Sequence, residues 1–306
     1  MTDIHFAPLQ GYTDHAYRRI HARLAGGVST YYTPFIRWEK GDVRGKDVVD
    51  LLPQNNEGVH LIPQIICATT DDMNRLSDLV QEHGYQEIDI NMGCPAPMQT
   101  KLRRGSGILP HPELVEALCH EMERRSEVRY SVKMRLGWER ADDWQTILPI
   151  LNAAPLQHIT LHPRIGTQMY KGQVDSDAFA QFASQCRHPL VYNGDVRTLE
   201  DIRRLEADFP TLRAVMIGRG LLANPTLAAE YQEGRGWEDA RRRSVLLAMH
   251  QEMLDFCRQK YKVDSQILLH IHAFWEYAEE AVGRKTWKRL MKAGSMRNYL
   301  EAVNAL

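Results

Sequence analysis

The chain contains no apolar run approaching the roughly 20 residues that a membrane-spanning helix needs. Its first residues, MTDIHFAPLQGYTDH, carry acidic and polar side chains where a secretory leader has a basic and then an apolar stretch. The expectation is therefore a cytoplasmic protein with no membrane partner. Cysteine is sparse: Cys67, Cys94, Cys119, Cys186 and Cys257 are odd in number, widely spaced and never arranged as CxxC. That spacing suits neither a disulfide framework nor a zinc site, and no metal is expected. An excess of charge of one sign is also lacking, since 38 Lys and Arg stand against 39 Asp and Glu. Affinity for nucleic acid would have to come from a local basic surface. Internal repeats and low-complexity stretches are absent.

What is present is alternation. Short β-rich runs occur at 5–9, 30–36, 61–67, 87–92, 130–136, 158–163, 189–195 and 214–220, and amphipathic helical stretches at 71–83, 112–125, 142–154 and 198–208 lie between them. Asp71 and Thr198 are the expected N-caps, and Pro112 suits a first helical turn. Eight strands with helical crossovers predict a parallel sheet closed into a (β/α)8 TIM barrel over residues 1–236, its strand interiors packed with apolar side chains. The connection 37–60 is polar, rich in glycine and only weakly helical, as functional loops at a barrel rim often are. From 237 the alternation stops, and helices are expected at 237–260, 264–280, 284–291 and 296–305. Residues 237–306 thus read as a C-terminal all-helical domain, entered through Gly234 and Gly236.

Polar residues collect where the strands end, at the rim that carries active sites in barrels. Gln10 follows the first strand, Gln64 lies on the third, and the fourth runs into Asn91-Met92-Gly93-Cys94-Pro95. Lys133 and Arg135 lie on the fifth strand, His162-Pro163-Arg164 on the sixth, Asn193-Gly194-Asp195 on the seventh and Gly218-Arg219-Gly220 on the eighth. The last two segments together suit a phosphate, with backbone N–H groups open to it and Arg219 adding charge. Gly218 and Gly220 could equally serve only a turn. Lys133, in mid-strand, would be a buried cation needing an anionic partner: a reduced flavin, a phosphate or, as a purely structural pair, Asp89. A Schiff-base lysine is a further reading, without the acid–base set it would require. Cys94 sits in a turn directly after a strand, with no base beside it, and fits a proton donor better than a nucleophile. The other four cysteines read as small buried hydrophobes.

A basic run, Arg284, Lys285, Lys288, Arg289, Lys292 and Arg297, contains no acid and carries Trp287 among its cations. A run like this is commonly just a solvated helix face. In a chain of balanced charge it is also the best candidate for a phosphate track, which Lys101, Arg103 and Arg104 could extend.

Taken together, the segments Ala7-Pro8-Leu9-Gln10-Gly11-Tyr12-Thr13-Asp14, Pro63-Gln64-Ile65, Asp89-Ile90-Asn91-Met92-Gly93-Cys94-Pro95, Val132-Lys133-Met134-Arg135, Leu161-His162-Pro163-Arg164, Asn193-Gly194-Asp195 and Met216-Ile217-Gly218-Arg219-Gly220 resemble the tRNA-dihydrouridine synthase family. Arg135-Leu136-Gly137-Trp138 and the C-terminal spacing are closest to its bacterial C-type subfamily. The resemblance implies FMN at the rim, with Ala7, Pro8 and Leu9 against the ring, Gln64 and Lys133 at its polar edge, and His162 nearby. Asn193, Gly194, Asp195, Gly218 and Arg219 would hold the ribityl phosphate. It also implies NADPH as reductant, tRNA as substrate, Cys94 as donor of a proton to uracil C5, and Asn91 and Tyr170 on the substrate side. The tRNA contacts would be Lys101, Arg103, Arg284, Lys285, Lys288 and Arg289 of a protein expected to be monomeric. Three departures from the family pattern fall on the RNA side: Ala96-Pro97-Met98-Gln99 where a lysine is common, Thr33-Pro34-Phe35 where an acid is common, and His270-Ile271-His272 in place of an arginine–lysine–histidine run. A small-molecule enone or pyrimidine reductase, an enzyme of another RNA and a non-catalytic tRNA-binding protein are the competing readings.

Overall fold

The computed structural model describes residues 1–306. Its strands are β1 (Asp3–Phe6), β2 (Thr30–Tyr32), β3 (Trp38–Glu39), β4 (Asp42–Val43), β5 (Leu61–Ile62), β6 (Gln64–Ile65), β7 (Glu87–Met92), β8 (Arg129–Gly137), β9 (Leu156–Ile165), β10 (Leu190–Asn193) and β11 (Ala214–Ile217). Nine form one parallel sheet in the order β5-β2-β1-β11-β10-β9-β8-β7-β6. Its two ends are halves of one strand, divided at Pro63, which has no N–H to give to a ladder. The Pro63 carbonyl still accepts from Asp89 N at 2.9 Å, and an isolated bridge joins Ile36 to Ile65. The sheet thus closes on itself as an eight-stranded (β/α)8 barrel.

The strands alternate more strictly than their apolar runs suggest. On β7, β8 and β9 the apolar residues Ile88, Ile90, Met92, Val132, Met134, Leu136, Ile159 and Leu161 belong to one core cluster. The residues between them, Asp89, Asn91, Ser131, Lys133, His158, Thr160 and His162, therefore face into the barrel. The expected apolar interior is corrected accordingly. Apart from a small cluster around Ala7, Tyr32, Ile62, Val191, Ala214 and Met216, the barrel is filled by polar groups, most of them hydrogen-bonded, with the Thr160 hydroxyl left without a partner. At its base Tyr32 Oη lies 3.0 Å from His5 Nδ1 and 3.1 Å from His158 Nε2, and burial lowers these imidazoles to pKa values of about 3 and about 4. Both are neutral, which lets them share one hydroxyl without repulsion.

Some element boundaries differ from expectation. Strand β1 spans Asp3–Phe6 rather than 5–9, because Ala7 makes the last ladder bond, to Ile217 O at 2.9 Å, and Pro8 has no N–H. The first cap of helix Thr70–Glu82 is Thr69, not Asp71; its side chain accepts from Asp72 N at 3.2 Å. Thr198 caps its helix as expected, with Asp201 reciprocating. The polar connection 37–60 is more ordered than expected: a hairpin of β3 and β4 turns through Lys40 and Gly41, both at positive φ, and helix Gly45–Leu51 follows.

Beyond Trp237 come helices Asp239–Lys260, Asp264–Trp275, Glu279–Val282, Arg284–Met291 and Met296–Val303. The expected single helix over 264–280 breaks after Trp275, whose carbonyl accepts Ala278 N at 3.0 Å in a tighter turn and the Trp287 indole N–H at 2.8 Å. Glu230, at the end of the barrel, is fully buried. It accepts from Arg242 Nε (2.9 Å), Asn224 Nδ2 (3.0 Å), Thr226 Oγ1 (2.7 Å) and Trp237 N (3.0 Å), tying the last barrel helix to the first C-terminal one. No helix is long and apolar enough to cross a membrane.

Candidate active site

An open cavity lies at the C-terminal mouth of the barrel. The register of the sheet explains which side chains share it. Gln64 pairs with Asp89, Asn91 with Lys133, Arg135 with His162 and Asn193 with Met216, so these rows reach the rim together. Ala7, Pro8, Leu9, Gln64, Lys133, His162, Asn193, Gly194, Asp195, Gly218 and Arg219 all line the cavity, and so do Cys94, Asn91 and Tyr170. Lys101, Arg103, Arg284, Lys285, Lys288 and Arg289 do not; they are exposed on the turn beyond Cys94 and on helix Arg284–Met291. Arg284 lies 3.8 Å from Glu279 and Arg297 lies 3.1 Å from Glu301, so two cations of the run have acidic neighbours just outside it.

Cys94 is held by its backbone. Asn91 Oδ1 accepts from Gly93 N at 3.1 Å and Cys94 N at 2.8 Å, while the Cys94 carbonyl accepts from Ser106 N at 3.0 Å and Ser106 Oγ at 3.1 Å. Gly105 allows this closeness: its φ is +60°, and a Cβ there would stand 2.4 Å from the Cys94 oxygen. Burial raises the thiol pKa above its ordinary value, against the pull of nearby Arg135, Lys133 and Arg37. Cys94 is therefore a thiol at neutral pH, able to give a proton. The other cysteines are also unpaired; Cys67, Cys119 and Cys257 are buried, whereas Cys186 is only half-buried and donates toward His188 O.

The cavity carries an excess of positive charge. Lys133, Arg135, Arg197 and Arg219 line it against a single carboxylate, Asp195. Lys133 makes no salt bridge; its ammonium donates to Asn193 Oδ1 at 2.7 Å, so the structural pair with Asp89 is not formed. Burial, helped by Arg135, lowers its pKa to about 8. Asp195 accepts from Arg164 and, at 3.0 Å, from Arg219. His162 is held neutral by burial and by Lys133, Arg135, Arg164 and Arg219 around it. Tyr170 lies between two guanidinium groups, Arg135 at 5.3 Å and Arg219 at 5.1 Å from its ring centroid.

The two glycines of Gly218-Arg219-Gly220 separate in role. A Cβ on Gly220 would sit 2.1 Å from Val196 O, so this glycine serves the packing of helix Arg219–Ala223 against the loop after β10. On Gly218 a Cβ would meet Ala7 Cβ at 3.4 Å, on the cavity wall. The backbone N–H groups of Gly194, Val196 and Gly218 donate to no protein acceptor. Open donors, surplus cations and a half-buried ammonium without an acid together fit an anionic ligand such as a flavin phosphate. Arg135 and Arg164, visible in the sequence as rim residues but given no role there, are the site's main braces: Arg135 Nε donates to Gly93 O at 3.0 Å, and Arg164 donates to Gly172 O at 2.6 Å. Their signal was their alternation with apolar neighbours along β8 and β9.

A family model described as dihydrouridine synthase (Dus) matches residues 5–305. The chain is 29% identical over 225 residues to the tRNA-dihydrouridine synthase B of Pasteurella multocida, covering 73% of this chain and 67% of that one. It is 28% identical over 244 residues to a tRNA-dihydrouridine(16) synthase of Pseudomonas putida, covering 77% of this chain and 75% of that protein. Among solved structures, morphinone reductase in complex with tetrahydroNAD shares the fold with a TM-score of 0.51 at 12% identity, over 77% of this chain and 87% of that chain.

Proposed function

The chain belongs to the dihydrouridine synthase family, and on that premise we propose that its barrel mouth holds FMN and reduces a uridine of tRNA to 5,6-dihydrouridine with electrons from NADPH. The observation that carries this reading is the cavity with four cations facing one carboxylate, with Lys133 lacking an acidic partner. Ala7, Pro8 and Leu9 would lie against the flavin ring, Gln64, Lys133 and His162 at its polar edge, and Asn193, Gly194, Asp195, Gly218 and Arg219 around the ribityl phosphate. Bound there and reduced by NADPH, FMN would supply the hydride for uracil C6.

The protein's own residues do the rest. Cys94 gives its proton to C5, completing saturation of the C5–C6 bond, and recovers a proton from solvent. A thiol whose pKa is raised by burial keeps that proton until the base arrives. Lys133 and Arg135 stabilise the thiolate left behind, since both lie close enough to pull the thiol pKa down. Asn91 and Tyr170 orient the uracil. A base stacked in RNA cannot present its face to the cavity, so it must be turned out of the stack. Residues 1–236 would then form the catalytic unit. Residues 237–306 would bind RNA, with Arg284, Lys285, Lys288 and Arg289, and Lys101 and Arg103 beside the cavity, meeting its phosphates. Two measurements test the proposal. The purified protein should show a flavin absorbance, and tRNA from cells lacking it should lose dihydrouridine at a defined position. A colourless protein that FMN cannot reconstitute, or an unchanged dihydrouridine map, refutes it.

A further inference from the structure

Asp89 is buried at the centre of the barrel wall with no cation in salt-bridge contact. Its Oδ1 accepts from Ser131 Oγ at 2.7 Å and its Oδ2 from Gln64 Nε2 at 2.7 Å. The chain continues: Gln64 Oε1 accepts from Asn91 Nδ2 at 2.7 Å, and Asn91 Oδ1 accepts from the backbone N–H groups of Gly93 and Cys94. Burial raises the Asp89 pKa to about 6, against the hydrogen bonds from Ser131 and Gln64, which leaves it mainly ionised at neutral pH.

An ionised carboxylate only accepts hydrogen bonds and a peptide N–H only donates. The two amides between them are therefore fixed in direction from both ends. Reversing Gln64 would turn its oxygen toward the Asp89 carboxylate; reversing Asn91 would aim its NH2 at the N–H groups of the Cys94 turn. Asn91 Oδ1 already accepts two bonds, and one of its two N–H groups is used by Gln64. What remains for the cavity is a single N–H, a donor and never an acceptor. A ring facing Asn91 thus meets a group that welcomes a carbonyl, as in uracil, and opposes an exocyclic amine, as in cytosine.

We propose that Asp89 is a positioning residue: acting through Gln64 and Asn91, it keeps the Cys94 turn in place and keeps the face of Asn91 a pure donor. This rests on the reaction proposed above for its catalytic consequence, but not for its structural one. The structural consequence is tested in the protein without cofactor, by iodoacetamide alkylation of Cys94 resolved by peptide mass spectrometry. Asp89→Leu should raise the Cys94 rate about tenfold as the turn loosens, with Cys186 as an unchanged internal reference. Asp89→Asn, whose carboxamide oxygen still accepts from Gln64, should stay within about threefold of the wild-type rate. If the Leu variant does not fold, Gln64→Met cuts the same chain one link later and should give the same loosening.

With saturating flavin and tRNA supplied, Asp89→Leu should slow dihydrouridine formation about tenfold more than it slows NADPH-driven flavin reduction without tRNA, in which Gln64 also takes part. Unaltered Cys94 alkylation in the Leu and Met variants overturns the proposal. So does an Asn variant as impaired as the Leu variant, or loss of both half-reactions together. A wild-type protein that forms no dihydrouridine would instead overturn the reaction, leaving the alkylation result to judge Asp89 alone.

Discussion

Replacing Lys133 by Met separates stability from cofactor affinity, because the two should move in opposite directions. In the folded chain Lys133 is half-buried beside Arg135 with no acid in salt-bridge contact, and desolvation, helped by Arg135, lowers its pKa from 10.5 to about 8. A drop of that size corresponds to roughly 3 kcal/mol of destabilisation of the charged form. The sign follows from linkage: the folded pKa is the lower one, so the penalty is complete below pH 8. It fades between pH 8 and about 10.5, where the unfolded chain also gives up its proton. Methionine fills much the same volume without charge. It leaves Asn193 Oδ1 without the donor it has at 2.7 Å, a loss of about 1–2 kcal/mol. The net expectation is a cofactor-free protein more stable by about 1–2 kcal/mol at pH 7, measured by urea unfolding, with a flatter stability profile between pH 8 and 10. Affinity for FMN should fall about 10- to 100-fold, the value of a charge-assisted hydrogen bond, measured by flavin fluorescence quenching. A Lys133→Met protein that is less stable without cofactor and binds FMN as tightly as before would refute the reasoning.

Other outcomes follow from the same geometry. Cys94→Ala should retain bound flavin and its reduction by NADPH while dihydrouridine formation drops by about 10²- to 10⁴-fold in single-turnover assays, since on the proposed reaction only the proton donor is lost. Gly220→Ala should cost about 3 kcal/mol or more in urea unfolding, because its Cβ would sit 2.1 Å from Val196 O; Gly218→Ala should unfold normally, its effect confined to flavin affinity. Glu230→Gln should cost about 2 kcal/mol at pH 7, after allowing for the partial exposure of Arg242. Burial raises the Glu230 carboxyl, but its hydrogen bonds prevail and bring its pKa to about 2, so this stability is present above pH 4.5 and is lost as pH falls toward 2; acid titration of the wild type followed by circular dichroism reads it. Changing Lys285, Lys288 and Arg289 together to Gln should weaken tRNA binding and reduce its salt dependence, leaving flavin reduction untouched.

Much of this architecture was legible from local pattern. Strand β7 lies where its alternating Glu87–Met92 run places it, and the Asn91-to-Cys94 turn lies at its end. The ends of β1 and β2 were harder to place, because Pro8 and Pro34 stop ladders that hydrophobicity alone would extend. The polar barrel interior escaped for a different reason. The sequence around His5, Tyr32 and His158 reads as apolar strand with incidental polar residues, and only closure of the sheet brings those three rings into hydrogen-bond distance. The placement of Tyr170 against Arg135 and Arg219 likewise depends on β8, the loop after β9 and the helix that follows β11 converging, a juxtaposition with no sequence signature. Gly220 looked like half of a phosphate motif because spacing does not reveal which neighbour a missing Cβ would strike.

The knot at Glu230 bears on how a large folded RNA would be received. Gly234 and Gly236 would ordinarily suggest a flexible joint, yet the buried carboxylate grips Arg242, Asn224, Thr226 and Trp237 across that very stretch. With the joint bridged in this way, the interval between helix Arg284–Met291 and the barrel mouth would act as a fixed calliper. The nucleotide that reaches the thiol would then be selected by distance along the RNA surface, and the deformation needed to deliver it would fall on the nucleic acid.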